Sequence, residues 1–431
     1  MLEYEKGLSI AVLGFGRAGR AAADFLLSRG ARIAVYAQQA LPEAELFSYR
    51  ARDVRFSFGS FPDCFKEQIL VRSPGIRPDI PVITRSLAKG ATLTSETELF
   101  FERCPARIIG VTGSDGKTTT ANLIAALLRG AGYTVHLGGN NGTPLLPTVD
   151  EMKKTDFAVV ELSSFQLMTL DRSPEIAVIT NITPNHLNWH TDMSEYIAAK
   201  CRIYKYGAKK LVINAALTDI GANSSVPTEL FAATERKLVL TDAAGTWHIP
   251  VPDTFLLPGR HNRENLAAAY AAVREFVPAE VMQTVLADFR GVPHRLQYVD
   301  TVAGVKYYNS SIDTSPTRTV AALSALGGHP LVIAGGRGKG VSFTPVGDAL
   351  AAHARAVFLY GEAAGEIEKA IDGRVPTHRF TAFELAFNAA VETAKSGDTV
   401  LLSPACTAFD QFRDFEERGA FFCTLVRRLK Q

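Results

Sequence analysis

The sequence predicts an α/β protein of parallel sheets covered by helices and divided into three domains. Three observations carry this expectation. Short β-branched runs alternate with helical patterns almost throughout: "LSIAVLG", "RIAVYA", "RIIGVTG", "FAVVELSS", "IAVITNI" and "KLVINA", then "PLVIAGG", "AVFLYG" and "DTVLLSP". The 431 residues exceed what one hydrophobic core serves, at roughly 150 residues per domain. Two glycine-rich turns, at 14–19 and 113–116, each follow a strand pattern and open a helical one.

Composition narrows the function classes. With 47% hydrophobic and 21% charged residues, the chain has core material and no disordered character. A formal net charge of +2 lacks the basic excess of a general nucleic-acid binder. No apolar run reaches the roughly 18 residues of a membrane span. The start, "MLEYEKGLSIAVLGFG", reads as a first strand rather than a signal peptide, which points to the cytoplasm. Neither nucleic acid nor membrane is therefore an expected partner. Cys64, Cys104, Cys201, Cys406 and Cys423 are scattered without a C-x-x-C pair and are expected as reduced thiols.

The first unit spans 1–104 and ends where "ELFFERCPAR" gives way to the next strand. The second, 105–293, closes in "DFRGVPHRLQYV", where Gly291 and Pro293 punctuate the change into the hairpin-like "YVDTVAGVKYYNSS". The third, 294–431, resumes the βα alternation.

In the first unit, "AVLGFGRAGRAAADFLL" places Gly14, Gly16 and Gly19 in a G-x-G-x-x-G pattern that admits a phosphate to a helix N-terminus. An NAD enzyme needs an acid at the end of the next strand, yet "RIAVYAQQA" offers Tyr36, Ala37, Gln38 and Gln39. A diphosphate-bearing ligand other than NAD is the reading; a glycine turn that serves only packing is its bland counterpart.

In the second unit, "GVTGSDGKTTT" misses the glycine that the usual phosphate loop has where Val111 stands. Its amides from Gly113 to Lys117 can still curl around phosphate oxygens, with Lys117 for the β and γ phosphates and Thr118 for Mg2+. Asp115 sets a carboxylate beside phosphates, which is unhelpful unless it caps the following helix. Glu161, closing the buried run "FAVVE", is costly there unless it meets a cation. His186 in "NITPNHLNWH" follows another buried strand. Either alone is an ordinary strand-end acid or histidine. Together with the loop they point to a Mg2+ site, since ligands collect at the carboxyl ends of strands in open α/β sheets.

These segments add up to a family. The chain resembles the Mur ligases, ATP-dependent amino-acid-adding enzymes of peptidoglycan synthesis. "TGSDGKTTT" is shared with folylpolyglutamate synthases. "SPGI" (73–76), "GGNNG" (138–142), "ELSSFQL" (161–167) and above all "LLSPACTAFDQFRDFEERG" (401–419) look like the D-glutamate-adding branch. The resemblance covers essentially the whole chain. It implies a Rossmann-like N-terminal domain, a central P-loop ATPase domain and a Rossmann-like C-terminal domain. The substrates implied are ATP, UDP-N-acetylmuramoyl-L-alanine and D-glutamate, in a monomeric bacterial enzyme. The alternative is another Mur ligase, or a folylpolyglutamate synthase-like ligase, with a different amino acid.

Site roles follow from the same resemblance. The ATP loop is Gly113, Ser114, Asp115, Gly116, Lys117, Thr118 and Thr119, joined by Asn262 and Asn265 for the adenine and Arg295 for the phosphates. Thr118 and Glu161 hold one Mg2+; His186 and a carbamylated Lys200 serve a second. Lys117, His186 and Lys200 are the implied catalytic set. Gly14, Phe15, Gly16, Tyr36, Ser73, Asn140 and Ser163 meet the uridylylated substrate, and Thr314, Lys339, Thr407 and Phe415 the D-glutamate. Without the resemblance, Lys200 reads as a solvated helix lysine, Asn262 and Asn265 as a helix cap pair, and Phe415 as a core aromatic. Thr314 and Lys339 then read as a hairpin hydroxyl and a turn lysine.

The chain departs from the family pattern at several positions. Ala37, Ser310 and Ile312 replace an Asp, an Asp and a Lys. Asn185 and Asn188 stand where acids are common, and Ala408 lacks a hydroxyl that Thr407 carries next door.

Overall fold

The computed structural model describes residues 7–140, 142–253, 255, 257 and 259–430. The chain divides into two compact units, Met1–Val251 with Arg263–Val285, and Pro252–Asn262 with Leu286–Gln431.

The first unit carries two sheets. One has five parallel strands in the order Arg55–Phe58, Arg32–Ala37, Ser9–Leu13, Ile69–Arg72, Thr92–Thr94. Ile10, Ala11, Val12 and Leu13 are all fully buried, as a strand covered on both faces requires. The helix Arg17–Ser28 follows the first glycine turn and sets Ala22, Ala23 and Leu26 into that core.

The other sheet has eight strands, ordered Gly245–Pro250, Lys237–Asp242, Thr228–Ala233, Lys210–Asn214, Ile176–Ile179, Arg107–Thr112, Phe157–Glu161, Val135–Gly139. The last six pair in parallel, and the first two are an antiparallel extension. The extension is absent from the βα reading of the sequence. The strand Thr228–Ala233, on which the extension is built, alternates half-buried and buried residues and lacks the continuous apolar run of the central strands.

Arg72, 1% exposed, ties the first sheet to the short helix Ser164–Leu167. Its guanidinium donates to Pro74 O (3.0 Å), Ile76 O (2.6 Å), Phe165 O (2.8 Å) and Thr169 Oγ1 (3.2 Å).

The second unit holds a six-stranded sheet ordered Gln297–Val302, Val305–Asn309, Thr399–Ala405, Leu331–Gly335, Ala356–Tyr360, Thr377–Phe380. Its first pair is the expected hairpin, closed by Ala303 (φ 49°) and Gly304 (φ 78°) in the left-handed conformations of a tight two-residue turn. The remaining strands pair in parallel. All five cysteines are free, and among the described residues no helix is long and apolar enough to cross a membrane.

Candidate active site

The second glycine loop leaves the strand Arg107–Thr112 at the middle of the eight-stranded sheet and enters the helix Lys117–Gly130. Gly113 (φ 154°) and Gly116 (φ 79°) adopt backbone conformations closed to side chains, and a Cβ on either would collide with Thr180 Oγ1 or Asn265 Oδ1. The Ser114 hydroxyl faces inward, donating to Thr183 O (2.9 Å) and pairing with Tyr196 OH (2.9 Å). Asp115 does not cap the helix: Gly116 is the N-cap, in a left-handed conformation without a side-chain bond. What Asp115 contributes is backbone. Its N–H donates to Asn181 Oδ1 (2.9 Å), and its carbonyl accepts from Thr180 Oγ1 (2.6 Å) and Asn181 Nδ2 (3.0 Å) while its side chain is exposed.

Thr180 and Asn181 are loop-positioning residues that the motif reading missed. Their place directly after a buried strand was the available signal.

Lys117 opens the helix and curls its ammonium over the loop, donating to the carbonyls of Gly113 and Ser114 at 2.9 Å each. Thr118 and Thr119 follow, half-buried. Glu161, 2% exposed, ends the neighbouring strand. Its Oε1 accepts from Asn140 Nδ2 (3.0 Å), whereas Oε2 is buried without a hydrogen-bond partner. A buried carboxylate oxygen left so is costly, and a cation is the partner that suits it. Among the described residues no three His, Cys, Asp or Glu converge as a complete metal set. A Mg2+ held by one carboxylate, a threonine hydroxyl, water and phosphate oxygens needs no such set.

Lys200 is 1% exposed, which overturns the solvated reading of this helix lysine. Its Nζ donates to Gly113 O (2.7 Å), and burial first, then the nearby Lys117 cation, push its pKa down to about 7. His186 is exposed and backbone-strained (φ 55°). Surrounding protein, then Lys117 and Lys200, hold its pKa below the ordinary value, and its ring packs on Phe165 at 4.9 Å. That segment is braced by Arg77, which donates to Trp189 O (2.6 Å) and Glu195 Oε1 (2.9 Å). Its second histidine, His190, bonds Glu195 (3.1 Å) and Ser164 (2.9 Å), a structural role the sequence reading did not single out.

Ser163 caps the helix Ser164–Leu167 in a reciprocal box with Gln166. Asn265 is 6% exposed, with Oδ1 accepting from Thr120 Oγ1 at 3.4 Å. At the first glycine loop, Gly14, Tyr36 and Ser73 meet at the ends of three adjacent strands, with Gly14 N donating to Tyr36 O (2.8 Å) and Ser73 Oγ to Gly14 O (3.2 Å). Gly16 is the helix N-cap. The Phe15 ring lies in the core against Tyr49 and Phe56, so that residue offers a ligand only its backbone. Asn141 of "GGNNG" lies outside the described residues.

In the second unit Asn262 is 8% exposed and Arg295 is exposed. Lys339 Nζ donates to Thr314 Oγ1 at 3.1 Å, bringing together the two residues that the resemblance assigns to one ligand. Thr407 Oγ1 donates to Arg337 O (2.8 Å), and the half-buried Phe415 faces His294 edge-on at 6.1 Å. Arg418 was not singled out in the sequence, yet it is fully buried beneath these groups.

A nucleotide loop, a metal-suited acid and a buried lysine at the carboxyl ends of a parallel sheet define a P-loop nucleotide-dependent enzyme. Family profiles match in all three sheets: "Mur ligase MurD-like, N-terminal domain" over 8–95, "Mur ligase middle domain" over 111–273, and "Mur ligase, glutamate ligase domain" over 294–406. The chain belongs to the Mur ligase family. It is 38% identical to a UDP-N-acetylmuramoylalanine–D-glutamate ligase of Acetivibrio thermocellus, over 99% of this chain and 97% of that one. It is equally 38% identical to the ligase of that name from Clostridium tetani, over 97% and 96%. Among solved structures, the UDP-N-acetylmuramate–alanine ligase of Thermotoga maritima shares the fold with a TM-score of 0.55 at 17% identity, covering 98% of this chain and 99% of that one.

Proposed function

We propose that the protein adds D-glutamate to UDP-N-acetylmuramoyl-L-alanine with hydrolysis of ATP to ADP and phosphate, in cytoplasmic synthesis of peptidoglycan precursors. The observation that carries this reading is the full-length match at 38% identity to ligases of that name. A ligase with a different amino acid is not favoured, because the match extends through the region that supplies Thr407 and Phe415.

The division into 1–104, 105–293 and 294–431 belongs to the same proposal, supported by one sheet in each segment. The substrate carboxylate attacks the γ-phosphorus of ATP, ADP leaves, and an acyl phosphate forms. The amine of D-glutamate then attacks the acyl carbon, loses a proton to solvent, and expels phosphate. Carboxylate and triphosphate repel each other, so the Lys117 ammonium and the loop amides must neutralise charge where it develops. Thr118 and Glu161 hold Mg2+, whose charge serves the same end when bound; His186 and Lys200 serve a second ion. Asn262 and Asn265 take the adenine edge and Arg295 the phosphates. The first glycine loop, Tyr36, Ser73, Asn140 and Ser163 take the UDP-linked substrate, and Thr314, Lys339, Thr407 and Phe415 the amino acid.

The test is phosphate release from purified protein, ATP and acceptor, with D-glutamate, L-glutamate, L-lysine or diaminopimelate supplied in turn. Release is expected with D-glutamate alone. Release with another of these and none with D-glutamate overturns the reading.

Lys200 is carbamylated in this proposal. A buried amine whose pKa is pushed down to about 7 carries a free lone pair near neutrality, which adds to CO2 and releases a proton, leaving an anionic carbamate. Protein equilibrated with 13C-bicarbonate is expected to show a carbamate carbon resonance that a Lys200→Arg variant lacks. An unlabelled wild-type spectrum removes the carbamate.

A further inference from the structure

The carboxylate of Asp313, 6% exposed in the second unit, takes no part in the chemistry described so far. Two hydroxyls lie against it: Ser403 Oγ donates to Oδ2 at 2.8 Å, and the Ser310 hydroxyl favours its ionised form, while Asp313 N–H donates to Ser310 O at 2.9 Å. Ser310 Oγ in turn accepts from Leu296 N at 3.1 Å, so its one proton is left for Asp313. One residue away, Ile312 N donates to His294 O at 3.0 Å. The segment 310–312 thus grips the chain on both sides of Arg295.

That grip is needed. His294 (φ 63°) and Leu296 (φ 41°) both lie in the left-handed region that non-glycine residues disfavour, so Arg295 stands between two strained neighbours. In the other direction Asp313 leads directly to Thr314, whose N–H donates to Ile312 O (2.7 Å) and whose hydroxyl accepts from Lys339. The cations that face the Asp313 carboxylate are Arg318 and Arg295.

We propose that Asp313 is a positioning residue: through Ser310 it locks the strained backbone that presents Arg295, and through the adjoining chain it fixes Thr314 and Lys339 in the same frame. The guanidinium assigned to the phosphates and the pair assigned to the amino acid are then aligned by one buried acid. The inference rests on the functional reading above. An acid is required because two hydroxyls converge on it. A carboxylate offers an acceptor oxygen to each, whereas an amide offers one oxygen and turns a donor toward the other.

The experiment measures kcat, KM for each substrate and thermal unfolding for wild type, Asp313→Asn, Ser310→Ala and the double variant Ser310→Ala/Asp313→Asn. Each single variant is expected to lower kcat by roughly 10- to 100-fold, while KM for the UDP-linked acceptor stays within about twofold. The double variant is expected to be no slower than the slower single one, because both remove the same relay. Unchanged kcat in Asp313→Asn, or losses that multiply in the double variant, overturns the proposal. Should Asp313→Asn fail to fold, Ser310→Ala, which deletes one hydroxyl, decides by the same kcat criterion. If wild type works only with another amino acid, the functional reading fails first, and the kcat comparison with that amino acid still judges Asp313.

Discussion

Replacing Lys117 with alanine is expected to lower kcat by on the order of 1000-fold while nucleotide binding weakens far less. The asymmetry follows from the geometry. The backbone amides of the loop are oriented by glycine conformations at 113 and 116 and by the Thr180 and Asn181 bonds to Asp115, none of which uses the Lys117 side chain. A variant therefore keeps a formed loop for ATP. What it loses is a full positive charge, already held over the loop by two carbonyls, at the place where charge builds on the transferring phosphoryl group. Groups that meet charge mainly in the transition state act on kcat rather than on binding. Single-turnover phosphate release beside calorimetric nucleotide titration separates the two effects. A variant with full turnover sinks the role given to the loop.

Replacing Arg418 with alanine is expected to destabilise the second unit by about 3–5 kcal/mol, since a buried acceptor left without its donor costs about 1–3 kcal/mol and several are left at once. Arg418 is fully buried and spends its donors on Ser311 Oγ (2.9 Å), Ser311 O (2.9 Å), Cys406 O (3.1 Å), Thr407 O (3.2 Å) and Tyr360 OH (3.2 Å). Alanine would leave these acceptors in a space too enclosed for each to find water. Lysine offers three donors from one point and cannot span the fork, so Arg418→Lys is expected to recover only part of the loss. Because Ser311 also donates to Phe415 O, the same change should loosen the turn that presents Phe415. Urea unfolding of the variants measures this, and a midpoint within error of wild type for Arg418→Ala refutes it.

Legibility varied with the range of the interactions involved. The nine strand runs read from the sequence are strands, and the hairpin after Pro293 is a hairpin, because β-branched runs and turn residues act through neighbours in the chain. The strands between 228 and 250 escaped, since their more buried residues alternate with more exposed ones and leave no apolar run to announce them. Ser163 shows the limit for side chains. Its capping box with Gln166 lies within four residues and was readable, whereas the further bond from Gln166 Nε2 to Thr97 joins distant segments and was not.

By itself, then, the sequence determined the alternation of strands and helices, the phosphate-suited loop at 113–119 and the family resemblance. All three reside in spacing along a short stretch of chain. Tertiary structure alone decided the state of individual charges. Lys200 sits in a helix whose local pattern suits a solvated lysine, and only the packing of Met193–Lys205 beside the loop buries its amine and lowers its pKa. Glu161 likewise keeps one oxygen free because Asn140, from the adjacent strand end, satisfies the other. Desolvation and hydrogen-bond satisfaction depend on which distant segments meet, and no local pattern encodes that meeting.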